Sequence, residues 1–393
     1  MIKNLSVKLM AIFAISLIAG AMGIFAQGTV TGGIVGKVSD PQGAVLPNAT
    51  VVVTNTGTNS SVTVTTNDDG VYKVTNLQPG TYRVEVTAGS FAPSKAENII
   101  VEVGKITPLD VNMIVGTQSA TVEVSAEAPV INTNDNTNST NVNQTSINEL
   151  PINGRRWSEF ALLTPGTVPD GNFGLISFRG ISGLLNNNTV DGGDNNQAFF
   201  SEERGRTRIN YVISQAAIRE FQVNTSNYSA EFGRSAGGVT NAVTFSGTNE
   251  FHGQAFYYNR NNANGARNPS SFQTVLVNGV PNQLALKAKD VRQQWGGRLC
   301  GPVVKNNLFF CFTYDQQKRD FPGVALFSNL NFLSLTAANR TTLNNKGISN
   351  TQIDSVLAFL LSETGVVPRK GDELLFLPKI DWNINDKNQF SVS

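Results

Sequence analysis

From Lys379 to Ile384 the residues alternate strictly: Lys379, Asp381 and Asn383 are polar, while Ile380, Trp382 and Ile384 are apolar. Phe309 to Tyr314 repeats the order, with Phe310, Phe312 and Tyr314 on one face and Cys311, Thr313 and Asp315 on the other. Successive side chains of a strand point to opposite faces, so this period fits a strand and no helix. An aromatic apolar face backed by a polar one is the signature of a strand in a membrane barrel. The candidate strands are Phe251–Asn259, Arg292–Gly301, Leu308–Gln316, Leu375–Ile384 and Gln389–Ser393, the first alternating least. The connections between them run long (260–291), short (302–307), long (317–374) and short (385–388). Outer-membrane barrels have short turns on one side and long loops on the other, and soluble sandwiches rarely do. In the second long loop Ile353, Val356, Leu357, Leu360 and Leu361 follow Thr351 and Asp354 at helical spacing, which predicts a capped helix.

The N-terminus constrains the compartment. Lys3 and Lys8 precede an apolar run from Leu9 to Ala26, which ends at Phe25-Ala26-Gln27. A basic start, an apolar centre and a small residue before a polar one describe a secretory signal peptide, here residues 1–26. The bland alternative, a membrane anchor, lacks a basic stop-transfer cluster, and the run is only marginally long enough to span. Later stretches are too short for a membrane helix, so any second meeting with a membrane is through strands.

Composition narrows the function classes. Charged residues are 15% of the 393, and the polarity comes from Asn, Thr, Ser, Gln and Gly, which suit strands and turns. A net charge of +1 provides no field to gather nucleic acid. One histidine leaves little room for His-based catalysis or a His-ligated metal, and two cysteines make no disulfide framework. No cofactor or metal is expected.

Residues 32–115 read as short strands separated by turn chemistry, notably Asp40-Pro41-Gln42-Gly43, Asn67-Asp68-Asp69-Gly70 and Gln78-Pro79-Gly80. That spacing implies a small β-sandwich. Residues 132–148 are rich in Asn and Thr and poor in apolar groups, which predicts a linker, and the connecting stretch is placed at 116–144. Residues 145–247 carry a short helical pattern, Trp157 to Leu163, then short strands and glycine turns, as in a compact α+β domain. Residues 248–393 hold the barrel-type strands.

Two resemblances join these parts. The motifs Gly36-Lys37-Val38-Ser39-Asp40-Pro41-Gln42-Gly43, Asp69-Gly70-Val71-Tyr72 and Leu77-Gln78-Pro79-Gly80-Thr81-Tyr82 resemble the carboxypeptidase-regulatory-like, transthyretin-type sandwich, a binding or spacer module. Residues 218–253, with Ser229-Ala230-Glu231-Phe232-Gly233-Arg234-Ser235-Ala236-Gly237-Gly238 at their centre, resemble the end of the plug domain of TonB-dependent outer-membrane receptors of the Oar-like branch. Further matches are Leu150-Pro151-Ile152-Asn153-Gly154-Arg155, Phe178-Arg179-Gly180, Val190-Asp191-Gly192-Gly193-Asp194-Asn195-Asn196, Gln294-Trp295-Gly296-Gly297 and Gly301-Pro302. The resemblance covers nearly all of the mature chain.

It implies a mainly β fold: an N-terminal β-sandwich, a small α+β plug domain, then the first few antiparallel strands of an incomplete transmembrane β-barrel. It implies uptake of an external ligand across the outer membrane, driven by the TonB complex of the inner membrane, with outer-membrane lipid around the strands and no covalent chemistry. The plug-motif residues are Arg155, Arg179, Gly180, Asp191, Asp194, Glu231, Gly233, Arg234, Gly237 and Gly238. Glu231, Arg234 and Arg179 could hold a plug through charge-assisted bonds, or simply sit on a solvated surface. Thr121, Val122, Glu123, Val124, Ser125 and Ala126 resemble the coupling segment that TonB grips, and fit the last edge strand of the sandwich equally well. Cys300 and Cys311 flank the turn near Lys305-Asn306 and are either a cross-strand disulfide or two free thiols.

Several signals are discounted. Gly233-Arg234-Ser235-Ala236-Gly237 has the spacing of a nucleophile elbow, but a strand-like Val239–Val243 follows, and His252 comes too soon after it. Asp191 and Asp194 in a Gly/Asn loop read as turn residues before calcium ligands. A family barrel has roughly 22 strands and a single-chain barrel at least about eight, against about five here, so the expectation is a fragment or truncated reading frame. The rival reading is a secreted or surface binding or adhesion protein that uses the sandwich without transport.

Overall fold

The computed structural model describes residues 30–116, 120–121, 137–150, 152, 155–171, 175–198, 212–277, 280–327, 329, 333–385 and 388–393. The expected signal peptide lies outside them. Contacts divide the chain into two units. The first is Met1–Gly253 with Leu299–Phe312 and Leu377–Ser393; the second is Gln254–Arg298 with Thr313–Phe376.

The first unit opens with a sandwich. Its strands are β1 (Gly32–Ser39), β2 (Thr50–Asn55), β3 (Ser61–Thr65), β4 (Val71–Leu77), β5 (Gly80–Thr87), β6 (Ser94–Val101), β7 (Ile106–Pro108), β8 (Val111–Asn112) and β9 (Ala120–Thr121). One sheet runs β4-β1-β7, with β8 also on β1; the other runs β3-β2-β5-β6-β9. Alternate residues such as Val51, Val53, Val84, Val86, Ile34 and Val74 meet between the sheets. The expected turns form as their residues dictate. Asp40 Oδ1 accepts from the Gln42 and Ala44 amides at 2.9 and 2.8 Å, and Asn67 Oδ1 accepts from Val71 N at 2.8 Å. Gly43 and Gly70 take the positive φ, +85° and +69°. Tyr72 and Tyr82 are buried, and their hydroxyls donate to Leu109 O (2.7 Å) and Gln78 O (2.8 Å).

Next comes a mixed domain. It contains β10 (Asn138–Val142), α1 (Gln144–Glu149), a 3-10 helix Trp157–Leu163, β11 (Thr167–Asp170), β12 (Leu175–Phe178), β13 (Asn187–Val190), β14 (Gly193–Asp194), β15 (Ile218–Ser226) and β16 (Val239–Thr244). Its main sheet runs β10-β15-β16-β13-β14, with β13 parallel to β16 and the other pairs antiparallel. Trp157, Phe160, Phe178, Ile218 and Phe221 form the core, with Trp157 edge-on to Phe221 at 5.4 Å. One expectation is corrected here. The predicted linker contains a strand, because the Asn/Thr-rich 138–142 pairs along β15 through its main chain and needs only Val142 in the core. The short helical pattern at Trp157–Leu163 forms a helix over those residues, of the 3-10 type.

The remaining strands are β17 (His252–Asn261), then β18 (Phe272–Val277), β19 (Val280–Ala285), β20 (Val291–Val304), β21 (Leu308–Asp320), β22 (Gly323–Ala325), β23 (Gly365–Val367), β24 (Glu373–Asn385) and β25 (Asn388–Val392). The long sheet runs β17-β20-β21-β24-β25, with β17 and β25 at its edges. β20, β21 and β24, of 14, 13 and 13 residues, are longer than the sequence pattern delimits. Within the second unit the two long connections are structured. The first holds the β18–β19 hairpin; the second holds α2 (Ala337–Asn345) and α3 (Asn350–Ser362). Ile353 and Leu357 of α3 pack with Leu333, as the helical spacing predicts. The cap is Ser349, in a capping box with Gln352, and not Thr351 or Asp354.

Candidate functional site

The long sheet is inside-out relative to a soluble one. On β24 the apolar Ile380, Trp382 and Ile384 are 46%, 46% and 47% exposed, while Lys379 and Asp381 are 7% and 6% exposed. On β21 the side chains of Phe309, Cys311, Thr313, Asp315 and Gln317 are buried, and Phe312 is exposed. Gln294 is buried on β20 and its Nε2 donates to both Asp315 carboxylate oxygens at 3.1 Å. In water, burying charge and amide while exposing Ile and Trp is the costly arrangement; in lipid it is the favourable one.

The Val190-Asp191-Gly192 turn joins the mixed domain to this sheet. Asp191 stands at φ +49°, its Oδ1 accepts from Thr244 N at 2.8 Å, and its Oδ2 bonds the Thr244 hydroxyl. Lys379 Nζ of β24 lies 3.5 Å from Asp191 Oδ2 and 3.1 Å from Thr244 Oγ1. Asp191 therefore serves as a turn cap and ion-pair partner, a role the sequence alone did not single out. Lys379 was legible only as a polar member of an alternating strand.

Asp194 accepts from Asn196 N at 2.8 Å and pairs with Arg234 Nη1 at 2.8 Å, both side chains being about half exposed. So Arg234 finds Asp194, and that surface pair contributes at most about 1 kcal/mol. Arg179 is exposed; what fixes it is its backbone, at φ +51° with its amide donating to Gly166 O at 2.8 Å. Gly180 follows at φ +80°, and Arg155 stands at φ +55° with its side chain half-buried. Glu231 and Gly233 are exposed. Gly237 and Gly238 are buried for a packing reason: a Cβ on Gly237 would strike Asn186 Oδ1, and one on Gly238 would strike the Phe178 ring.

Behind these glycines runs an amide network that the motif reading missed. Asn196 Nδ2 donates to Asn187 Oδ1 at 2.7 Å, Asn188 N donates to Asn196 Oδ1 at 2.9 Å, and Thr189 Oγ1 donates to Asn241 Oδ1 at 2.8 Å. Asn196 and Asn241 fall inside the motif stretches, and the run Asn186-Asn187-Asn188 was the remaining signal. Ser235, the serine of the discarded elbow, bonds Gly238 O at 2.9 Å. His252 Nδ1 lies 3.1 Å from Glu250 O at the start of β17.

Thr121 ends β9, which pairs parallel to Ser94–Lys95 of β6 on the sandwich edge; Val122 to Ala126 lie outside the described residues. Cys300 and Cys311 face each other across β20 and β21 with Cα atoms 4.0 Å apart and sulfurs joined. Both are buried, beside the turn containing Asn306, which bonds Asn249 in both directions at 2.7 Å.

Comparison with known proteins bears on the whole arrangement. The carboxypeptidase regulatory-like domain family matches residues 33–114, and an outer membrane beta barrel domain family matches residues 243–356. The TonB-dependent transporter Oar of Myxococcus xanthus is 30% identical over 297 residues, which cover 73% of this chain and 26% of that relative. The chain is a homologue of TonB-dependent receptors. It spans about a quarter of the relative's length, 26%. Among solved structures, the outer membrane transporter YddB from Escherichia coli aligns at 15% identity and a TM-score of 0.41, covering 63% of this chain and 31% of that one. The siderophore receptor PirA from Acinetobacter baumannii aligns at 18% identity and 0.33, covering 46% and 24%. That homology rests on the sequence relative and the two domain families, which also put this receptor homologue in the outer membrane.

Proposed function

We propose that this receptor homologue acts in taking up an external ligand across the outer membrane, powered by the TonB complex of the inner membrane. The observation that carries this is the inverted strand β24, whose Lys379 and Asp381 are buried while Ile380, Trp382 and Ile384 are exposed. The mixed domain at 145–247 is then the plug, and the long sheet is part of the barrel around it. The Asp191–Lys379 contact supports this reading, as a polar, partly buried link between the two that can be broken and remade without exposing a core. Thr121–Ala126 is the coupling segment, which adds as a strand to TonB through main-chain bonds. The sandwich sits on the periplasmic side and positions that segment. No step makes or breaks a covalent bond.

The test is binding to the C-terminal domain of TonB. The chain, extracted from outer membranes in detergent, is expected to bind it, and Val124→Pro is expected to abolish binding by removing a ladder N–H. Undiminished binding by Val124→Pro would remove the coupling assignment. Recovery of the chain as soluble, non-heat-modifiable protein would support the secreted adhesion reading instead.

A further inference from the structure

The turn between β6 and β7 of the sandwich is gripped by the mixed domain. Val103 N donates to Glu220 Oε1 at 2.8 Å, Asn141 Nδ2 donates to Val103 O at 3.0 Å, and Gln222 Nε2 donates to Gly104 O at 3.3 Å. Val103 is fully buried and Glu220 is 7% exposed. Gly104 stands at φ +66° against the Gln222 carboxamide, where a Cβ would collide, so the turn fits its clamp closely. The charged groups facing Glu220 are Arg219 on its own strand and Glu102 and Lys105 on the turn. Lys105 Nζ is bonded to Glu102 at 2.7 Å. The strands on either side, β10 and β16, bring Asn141 and Val243, which do not titrate. Closing the clamp therefore strips water from a carboxyl group whose direct bond is to a main-chain amide.

We propose that this clamp is a pH-sensitive dock, in which Glu220 takes up a proton when the sandwich turn seats on it, so that the sandwich is held more firmly in mildly acidic surroundings than in alkaline ones. A protonated carboxyl still accepts the Val103 amide through its carbonyl oxygen, so neutralisation keeps the bond and removes the cost of a buried charge. Burial pushes the Glu220 carboxyl up to about 7, with Arg219, the Val103 amide and Lys105 pulling it down and Glu102 pushing it up. Undocked and in water, the same group ionises at roughly 4.3. Between those two values the docked form holds more protons than the undocked one. Raising the pH through that window therefore withdraws stability from the dock, and the loss is complete above it. The inference depends on the clamp alone and not on transport.

Hydrogen–deuterium exchange of the whole chain in detergent, followed on the peptide containing Val103 and corrected for intrinsic exchange, tests it. Protection of the turn is expected to fall at least about tenfold from pH 5 to pH 8, because between the undocked and docked ionisation points the docking constant drops about tenfold for each step of one in pH. Glu220→Gln is expected to hold the turn with no pH dependence in that window. Lys105→Met, at the partly buried end of the turn, removes a cation and is expected to move the midpoint to higher pH. A flat wild-type profile overturns the proposal, as does the same slope in Glu220→Gln. If Glu220→Gln does not fold, an unmoved midpoint in Lys105→Met overturns it.

Discussion

Lys379 carries a charge in a place that would normally exclude one. Its side chain is 7% exposed, and its partners are Asp191, at 18%, and the hydroxyl of Thr244. Removing one member leaves the other buried without its counter-charge, which costs more than the pair itself contributes. Lys379→Met is therefore expected to destabilise the chain by about 1–3 kcal/mol. Asp191→Asn keeps an acceptor for Thr244 N but leaves Lys379, the more buried of the two charges, without its counter-charge, so it should cost at least as much. A double-mutant cycle by denaturant unfolding should return a coupling of about 0.5–3 kcal/mol, and zero coupling would show that the two do not interact. The sequence showed Asp191 inside a motif and Lys379 inside an alternation. They are 188 positions apart, and only folding brings them together.

Among the elements, α3 and β10 illustrate opposite degrees of legibility. The spacing of Ile353, Val356, Leu357, Leu360 and Leu361 marked α3, since a 3.6-residue period is a local property, although Val356 stays exposed. Its cap, Ser349 with Gln352, lies before the residues that the spacing pointed to. Ser349→Ala is expected to lose about 1 kcal/mol of helix stability, seen as faster amide exchange in the first turn of α3 while the sandwich is unchanged. β10 was unreadable because Asn138, Ser139, Thr140 and Asn141 have no apolar rhythm. What makes them a strand is a partner, β15, more than 70 residues away in sequence.

For the whole molecule, the inverted sheet fixes which solvent each face meets. If Ile380 faces lipid, Ile380→Lys near the bilayer midplane should cost about 2–4 kcal/mol and lower the heat-modifiable fraction recovered from outer membranes, while Ile380→Leu should leave it unchanged. Equal recovery of the Lys variant would mean that this face does not meet lipid. The sandwich is bound to the mixed domain by the Val103 clamp, so it is docked there and not merely tethered.

The sequence by itself determined the class of each segment: turn residues with alternating Val and Thr for the sandwich, period-two aromatic faces for the barrel-type strands, and a motif run for the plug resemblance. These are legible because local period and turn chemistry act over a few residues. The tertiary structure alone decided who meets whom: Asp191 with Lys379, Arg234 with Asp194, Glu220 with Val103, and 138–142 with β15. Those pairings join distant positions, and the burial that gives each one its energy exists only once the chain is folded.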